Sequence, residues 1–152
     1  MKDKGFTYVE LIAVAAILSV LAMAVIPLSY TVVKKKKEIE LMYALRTIRT
    51  AIDEYKKLAD AKKIKVENPL TTLGYPPTLE TLVEGVEATD KKGLKIKFLR
   101  RIPWDPMTES FDWGLRSYQD EPDSETWGGQ NVYDVYTRSL EVGLNGIPYR
   151  KW

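Results

Sequence analysis

Cysteine and histidine are both absent from the 152 residues. The first absence excludes disulfides, thiolate metal sites and thiol catalysis together. The second removes the commonest general base and a leading transition-metal ligand. An excess of one charge is missing too, since 23 Lys and Arg stand against 21 Asp and Glu. No basic face for nucleic acid is therefore expected. No nucleophile, base and orienting group occur together at a recognisable spacing, so the expected class is not an enzyme.

Long apolar sequence is what the chain does have. Residues 6–28 carry no charge except Glu10, and about 20 such residues suffice for a membrane-spanning helix. An ionised side chain inside hydrocarbon costs about 3 kcal/mol even on insertion scales, so Glu10 asks for a compensating partner. A positive group supplied by another molecule is the expected one. Two plainer readings compete. One is a secretory signal peptide, with Lys2 and Lys4 in front and Ala22-Met23-Ala24 as a small-x-small cleavage site. The other is a simple one-span anchor. Both leave Glu10 unexplained. Lys34-Lys35-Lys36-Lys37 follow the apolar run and read as a solvated collar or as headgroup contacts on an anionic leaflet. By charge alone they place the C-terminal part on the cytoplasmic side.

The N-terminal sequence Lys4-Gly5-Phe6-Thr7-Tyr8-Val9-Glu10-Leu11-Ile12 resembles the class III signal of type IV pilins and of type II secretion pseudopilins. The resemblance implies cleavage between Gly5 and Phe6 by a prepilin peptidase, N-methylation of Phe6, and retention of the apolar helix. It also implies that Glu10 pairs with the new Phe6 amine of a neighbouring subunit during assembly. Pro27 removes one helical hydrogen bond and crowds the preceding turn, so a kink is expected there.

After Pro27 the pattern becomes amphipathic. Leu41, Leu45, Ile48, Ile52, Tyr55 and Leu58 or Ala59 recur at fours and threes, one face of a helix. Lys36 with Glu40 and Asp53 with Lys57 stand at ion-pair spacing on the other face. One long kinked helix over about 6–62 is expected, transmembrane first and then packed on a head. A coiled coil is the weaker alternative, given the β-rich tail. In the head, 68–77 reads as a turn-rich connector and Thr78 as the N-cap of a short helix over 79–84, stopped by Gly85. Strands are expected over 94–99, 113–118 and 132–137, with a long polar loop over 119–129 and a turn at Asn145-Gly146. The crowded aromatic residues of the tail read as core and rim rather than as a binding face.

Tyr75-Pro76 ahead of 79–82, then Ile102-Pro103-Trp104-Asp105-Pro106, then Val132-Tyr133-Asp134-Val135-Tyr136-Thr137-Arg138-Ser139 make the head most similar to the G-type, or major, pseudopilin of type II secretion. The expected fold is α+β and pilin-like: a leader at 1–5, a transmembrane and filament-core helix at 6–28, an amphipathic helix at 29–63 and a small antiparallel head at 64–152. The resemblance implies a structural subunit held in the inner membrane by a single pass, with its head in the periplasm. It implies self-association into a helical filament that drives protein export. Implied partners are the prepilin peptidase, an inner-membrane assembly platform, minor pseudopilins, and membrane lipid before assembly. Alternatives are a surface-fibre type IV pilin, which a disulfide would favour, and a secreted or anchored periplasmic binding domain. Many G-type relatives bind calcium after the last strand, but Ser139-Leu140-Glu141-Val142-Gly143-Leu144-Asn145-Gly146 offers one carboxylate and one amide, few for a cation that takes six to eight oxygens. No cofactor and no metal ligands are assigned.

Overall fold

A computed structural model describes residues 5, 7–91 and 93–152, with side chains for all of these except 24–28. It is an α+β structure with a long N-terminal helix, α1 (Tyr8–Asp60), followed by α2 (Pro69–Thr72), α3 (Leu79–Glu84), β1 (Val86–Glu87), β2 (Lys95–Ile96), β3 (Gly114–Arg116), β4 (Asp134–Tyr136) and a 3-10 turn (Tyr149–Lys151). Two compact units divide the chain, Met1–Lys36 and Lys37–Trp152.

In the first unit the helix is assigned without a break through Pro27. The expected kink at Pro27 lies outside the residues whose side chains are described. Among the described residues no helix is long and apolar enough to cross a membrane. This corrects the expected transmembrane helix, and with it the single-pass inner-membrane placement with a periplasmic head. The physical reason is charge: the apolar part of α1 carries the Glu10 carboxylate in its first turn and runs without a break into Lys34-Lys35-Lys36-Lys37, groups that hydrocarbon does not accept without a cost.

In the second unit the face with threefold and fourfold spacing is the core. Leu41, Ala44, Leu45, Ile48, Ala51, Ile52 and Tyr55 of α1 are buried, and they cluster with Leu79 and Leu82 of α3 and with Trp113, Val132, Val135 and Tyr149. Leu58 and Ala59 are partly buried against the same core. On the outer face Lys56 pairs with Asp60 at 2.5 Å, whereas Asp53 and Lys57 form no ion pair among the described residues. α1 ends where Lys62 turns left-handed at φ 54°. Its N–H donates to the Ala59 carbonyl and that of Lys63 to the Leu58 carbonyl, both at 2.9 Å, which is a Schellman closure with lysine where glycine is usual.

The 68–77 connector contains one helical turn, α2, opened by a left-handed Asn68 and closed by a left-handed Leu73. Thr78 caps α3 by accepting the Thr81 N–H at 3.4 Å. Gly85 follows with φ 81°, and a Cβ there would stand 2.7 Å from the Ile96 carbonyl oxygen, so glycine is required at this stop.

Two separate two-stranded antiparallel sheets replace the single small sheet expected. β1 pairs with β2, Val86 opposite Ile96, and β3 pairs with β4, Gly114 opposite Tyr136 and Arg116 opposite Asp134. Only two residues of the expected 94–99 strand pair, because the N–H groups of Phe98 and Leu99 both turn to the Leu82 carbonyl at 2.9 Å. β1 has a further neighbour in the chain leaving α1, through an Ile64 to Ala88 bridge and a 2.6 Å Lys65 to Glu87 ion pair. The Lys65 ammonium, and after it the Gly93 N–H at 3.0 Å, hold the Glu87 carboxyl below the ordinary carboxylate value.

On the buried face of β3 that Gly114 shares with Arg116, Gly114 leaves room for the Tyr136 ring, whose atoms a Cβ would meet at 2.3 Å. The Arg116 guanidinium lies 4.1 Å from the centre of the same ring, a cation–π contact. Arg49 then ties α1 to β4. Its Nε donates to Asp134 at 2.7 Å, and its Nη2 donates to the Val135 and Trp152 carbonyls at 3.1 and 2.8 Å.

Two expectations follow. Arg49→Met removes a charge-assisted pair and two carbonyl contacts, and should lower the free energy of unfolding by about 2 kcal/mol, read as a reduced urea midpoint at unchanged slope. Because the Glu87 pKa is depressed in the folded chain, its contribution to stability is complete above the unfolded carboxylate value and is lost as pH falls through the folded one. Lys65→Met should move the Glu87 midpoint upward in a side-chain NMR titration; an unchanged midpoint contradicts the assignment.

Candidate functional site

The N-terminal end of α1 carries the residues singled out by the sequence. Gly5 is exposed and outside any regular element, while Phe6 lies outside the described residues. Glu10 sits in the first turn of α1. Its carboxylate accepts the Thr7 N–H and the Thr7 hydroxyl, both at 3.2 Å, and the Glu10 N–H donates to Thr7 Oγ1 at 3.3 Å. That reciprocal pattern is a capping box, with Thr7 as N-cap and Glu10 three residues on. Glu10 therefore has a partner within its own chain, and a carboxylate at this end also complements the helix dipole. The signal was present in the sequence as Thr7-Tyr8-Val9-Glu10.

Around Glu10 the helix surface is apolar on every side. Tyr8, Val9, Leu11, Ile12, Ile17, Leu18, Val20, Leu21 and Met23 are each more than half exposed. Among the described residues of the first unit nothing covers them. Isolated exposed apolar residues are ordinary, but a contiguous apolar surface of this kind marks an interaction site.

Within the second unit, buried polar groups are placed for structure. Glu38, 2% exposed, accepts the Leu144 N–H at 2.7 Å and the Tyr149 hydroxyl at 3.1 Å. It thus anchors the C-terminal turn to the start of the buried helix face. Asp105, fully buried, accepts the Met107 N–H at 2.8 Å and the Thr108 hydroxyl at 3.0 Å, and also the Thr137 hydroxyl. The Asp-Pro pair is therefore an internal staple between the 103–110 turn and the end of β4. Asn131 does the same for the polar loop, accepting the Tyr118 N–H and donating to Gln119, each at 3.0 Å.

The segment weighed for calcium folds as a turn. Asn145 Oδ1 accepts the Ile147 N–H at 3.0 Å, and the Gly143 N–H donates to the Ile147 carbonyl at 2.9 Å. Among the described residues no group of three or more His, Cys, Asp or Glu is placed to hold a metal ion. The aromatic residues divide between core and rim. Trp113 and Tyr149 are buried, whereas Trp104 packs on Phe111 at 4.9 Å and Tyr118 on Tyr133 at 5.3 Å, all four substantially exposed.

Sequence reasoning missed Glu38 and Arg49. Their partners lie 106 and 85 residues away along the chain, and local spacing carries no signal for such pairings. Comparison of the chain with protein-family models, with curated proteins and with solved structures found no match.

The capping geometry sets an expectation of its own. Thr7→Ala removes the cap and should cost the start of α1 about 1 kcal/mol, visible as faster amide exchange over residues 8–11 while the Lys37–Trp152 unit is unchanged.

Proposed function

We propose that this chain is the structural subunit of a helical filament of the type II secretion pseudopilus kind, with a pilin-like fold. The observation that carries the reading is the apolar helix surface between Tyr8 and Met23, which its own unit leaves exposed, beginning at the Gly5-Phe6…Glu10 sequence. Burying such a surface releases about 25 cal/mol per Å² of apolar area. Neighbouring copies of the same helix are the natural cover, because each copy offers and needs the same surface. A head–tail contact repeated along a screw axis gives an open filament rather than a closed ring.

In this reading a prepilin peptidase cuts after Gly5 and the new amine belongs to Phe6. An ammonium brought to Glu10 inside a packed apolar bundle is worth far more than one in water, since the effective dielectric is lower. Registry between copies is then set by one charge pair in an otherwise featureless apolar seam, the best-attested use of a buried charge. Cytoplasmic ATP hydrolysis does the work of extension, and this chain supplies the growing material.

The intact mass and N-terminal sequence of the assembled protein test the processing step; a chain beginning at methylated Phe6 is expected, and one beginning near Val25 overturns it. A sharper test separates the two roles of Glu10. Gln also serves in a capping box, so Glu10→Gln keeps the helix start and deletes only the charge. Filament yield, measured by pelleting and electron microscopy, should fall at least tenfold in Glu10→Gln with amide exchange at residues 8–11 unchanged. Wild-type yield from that variant reduces Glu10 to a cap and removes the pairing.

A further inference from the structure

Beside the lower half of the buried helix face lies a cleft of about 470 Å³, walled by Tyr55, Lys65, Glu67, Glu84, Glu87 and Lys95 among others. Three carboxylates face two ammonium groups there. Lys65 and Glu87 already satisfy each other at 2.6 Å, and Lys95 also lies close enough to Glu87 to act on its charge. The carboxylates of Glu67 and Glu84 have no hydrogen bond or ion pair among the described residues, and both residues are exposed at the cleft.

A second observation is independent of the acids. Tyr55 is only 1% exposed, packs its ring on Phe98 at 5.3 Å, and its hydroxyl makes no hydrogen bond among the described residues. Burial, and after it the Glu67 charge, raise its pKa above the ordinary tyrosine value, so the hydroxyl stays protonated beside Glu67. The hydroxyl oxygen is not sealed from solvent; among the described residues the side-chain polar atom both sealed and without a partner is Trp152 Nε1. Tyr55 instead opens at the wall of a cleft with surplus negative charge.

We propose that this cleft binds an alkyl ammonium or guanidinium group, held between Glu67 and Glu84 with the Tyr55 hydroxyl as a further acceptor, and that the group comes from a basic side chain of a second copy of this chain. Charged donors on carboxylates make the stronger class of hydrogen bond, and guanidinium suits two acceptors at once. A second copy is the fitting source because Arg46, Arg100 and Arg101 are exposed and form no ion pair within the chain among the described residues. Their charges are unmatched at home, as those of Glu67 and Glu84 are. The origin of the cation rests on the subunit reading above; the chemistry of the cleft does not.

The test uses the full chain and agmatine, a small probe with one guanidinium and one ammonium group. Saturable shifts of the Tyr55, Glu67 and Glu84 NMR signals are expected. Affinity should fall at least tenfold in Glu67→Gln/Glu84→Gln and severalfold in Tyr55→Phe, with the thermal midpoint of Tyr55→Phe close to wild type. No saturable shift, or equal affinity in the double variant, overturns the site. In a second arm, filament yield should drop at least fivefold in Glu67→Gln/Glu84→Gln. Unchanged yield with intact agmatine binding overturns the second copy as the source and leaves a free organic cation as ligand. A chain that forms no filament in any variant overturns the subunit reading and the second-copy source together, and the agmatine titration alone then decides the cleft.

Discussion

The stripe Leu41, Leu45, Ile48, Ile52 and Tyr55 is the surface on which the rest of the C-terminal unit is built. Two two-stranded antiparallel ribbons, each only two or three residues long, are not stable by themselves in water. They persist because Leu82, Trp113, Val132, Val135 and Tyr149 bury against that stripe. Burying a side chain of this size is worth about 1.5–3 kcal/mol, whereas a single strand pair contributes tenths. Packing against the helix, not sheet pairing, therefore decides the head.

Polar contacts then fix what the apolar stripe leaves free. An apolar helix face allows sliding and rotation at little cost, since its contacts are non-directional. Glu38 at one end and Arg49 in the middle hold specific atoms of the C-terminal segment and of β4. Arg116, stacked on Tyr136 and 3.5 Å from the Asp134 carboxylate, joins the same network from the sheet side. The polar set has few members, and each is placed where an apolar contact could not choose a register.

How much of this was legible in the sequence depends on the range of the interaction. The buried face of α1 was readable because its spacing repeats every three or four residues, and Thr78 and Gly85 were readable because cap chemistry is local. Strand lengths were not, because Phe98 and Leu99 give their N–H groups to α3 rather than to a neighbouring strand. β1 was missed since two residues show no alternation. Glu38 follows four lysines and nothing in its local spacing marks it as buried, yet a segment from the far end of the chain closes over it. The apolar N-terminal run was read as a membrane span from composition, and the described helix falls short of one.

Glu10 shows how a local and a distant role can share one side chain. An ionised carboxylate has about four acceptor positions, and the Thr7 N–H and hydroxyl occupy both of their contacts on a single oxygen, Oε2. The other oxygen has no protein donor from Thr7. Capping therefore gives the carboxylate two neutral donors in an unassembled chain and holds it against the first turn, while its charge stays unpaired. A cation arriving from a neighbouring helix would meet an acceptor already oriented, with less side-chain entropy left to lose. In the filament reading, the capping box and the intersubunit pair are successive uses of the same geometry, and the first lowers the cost of the second.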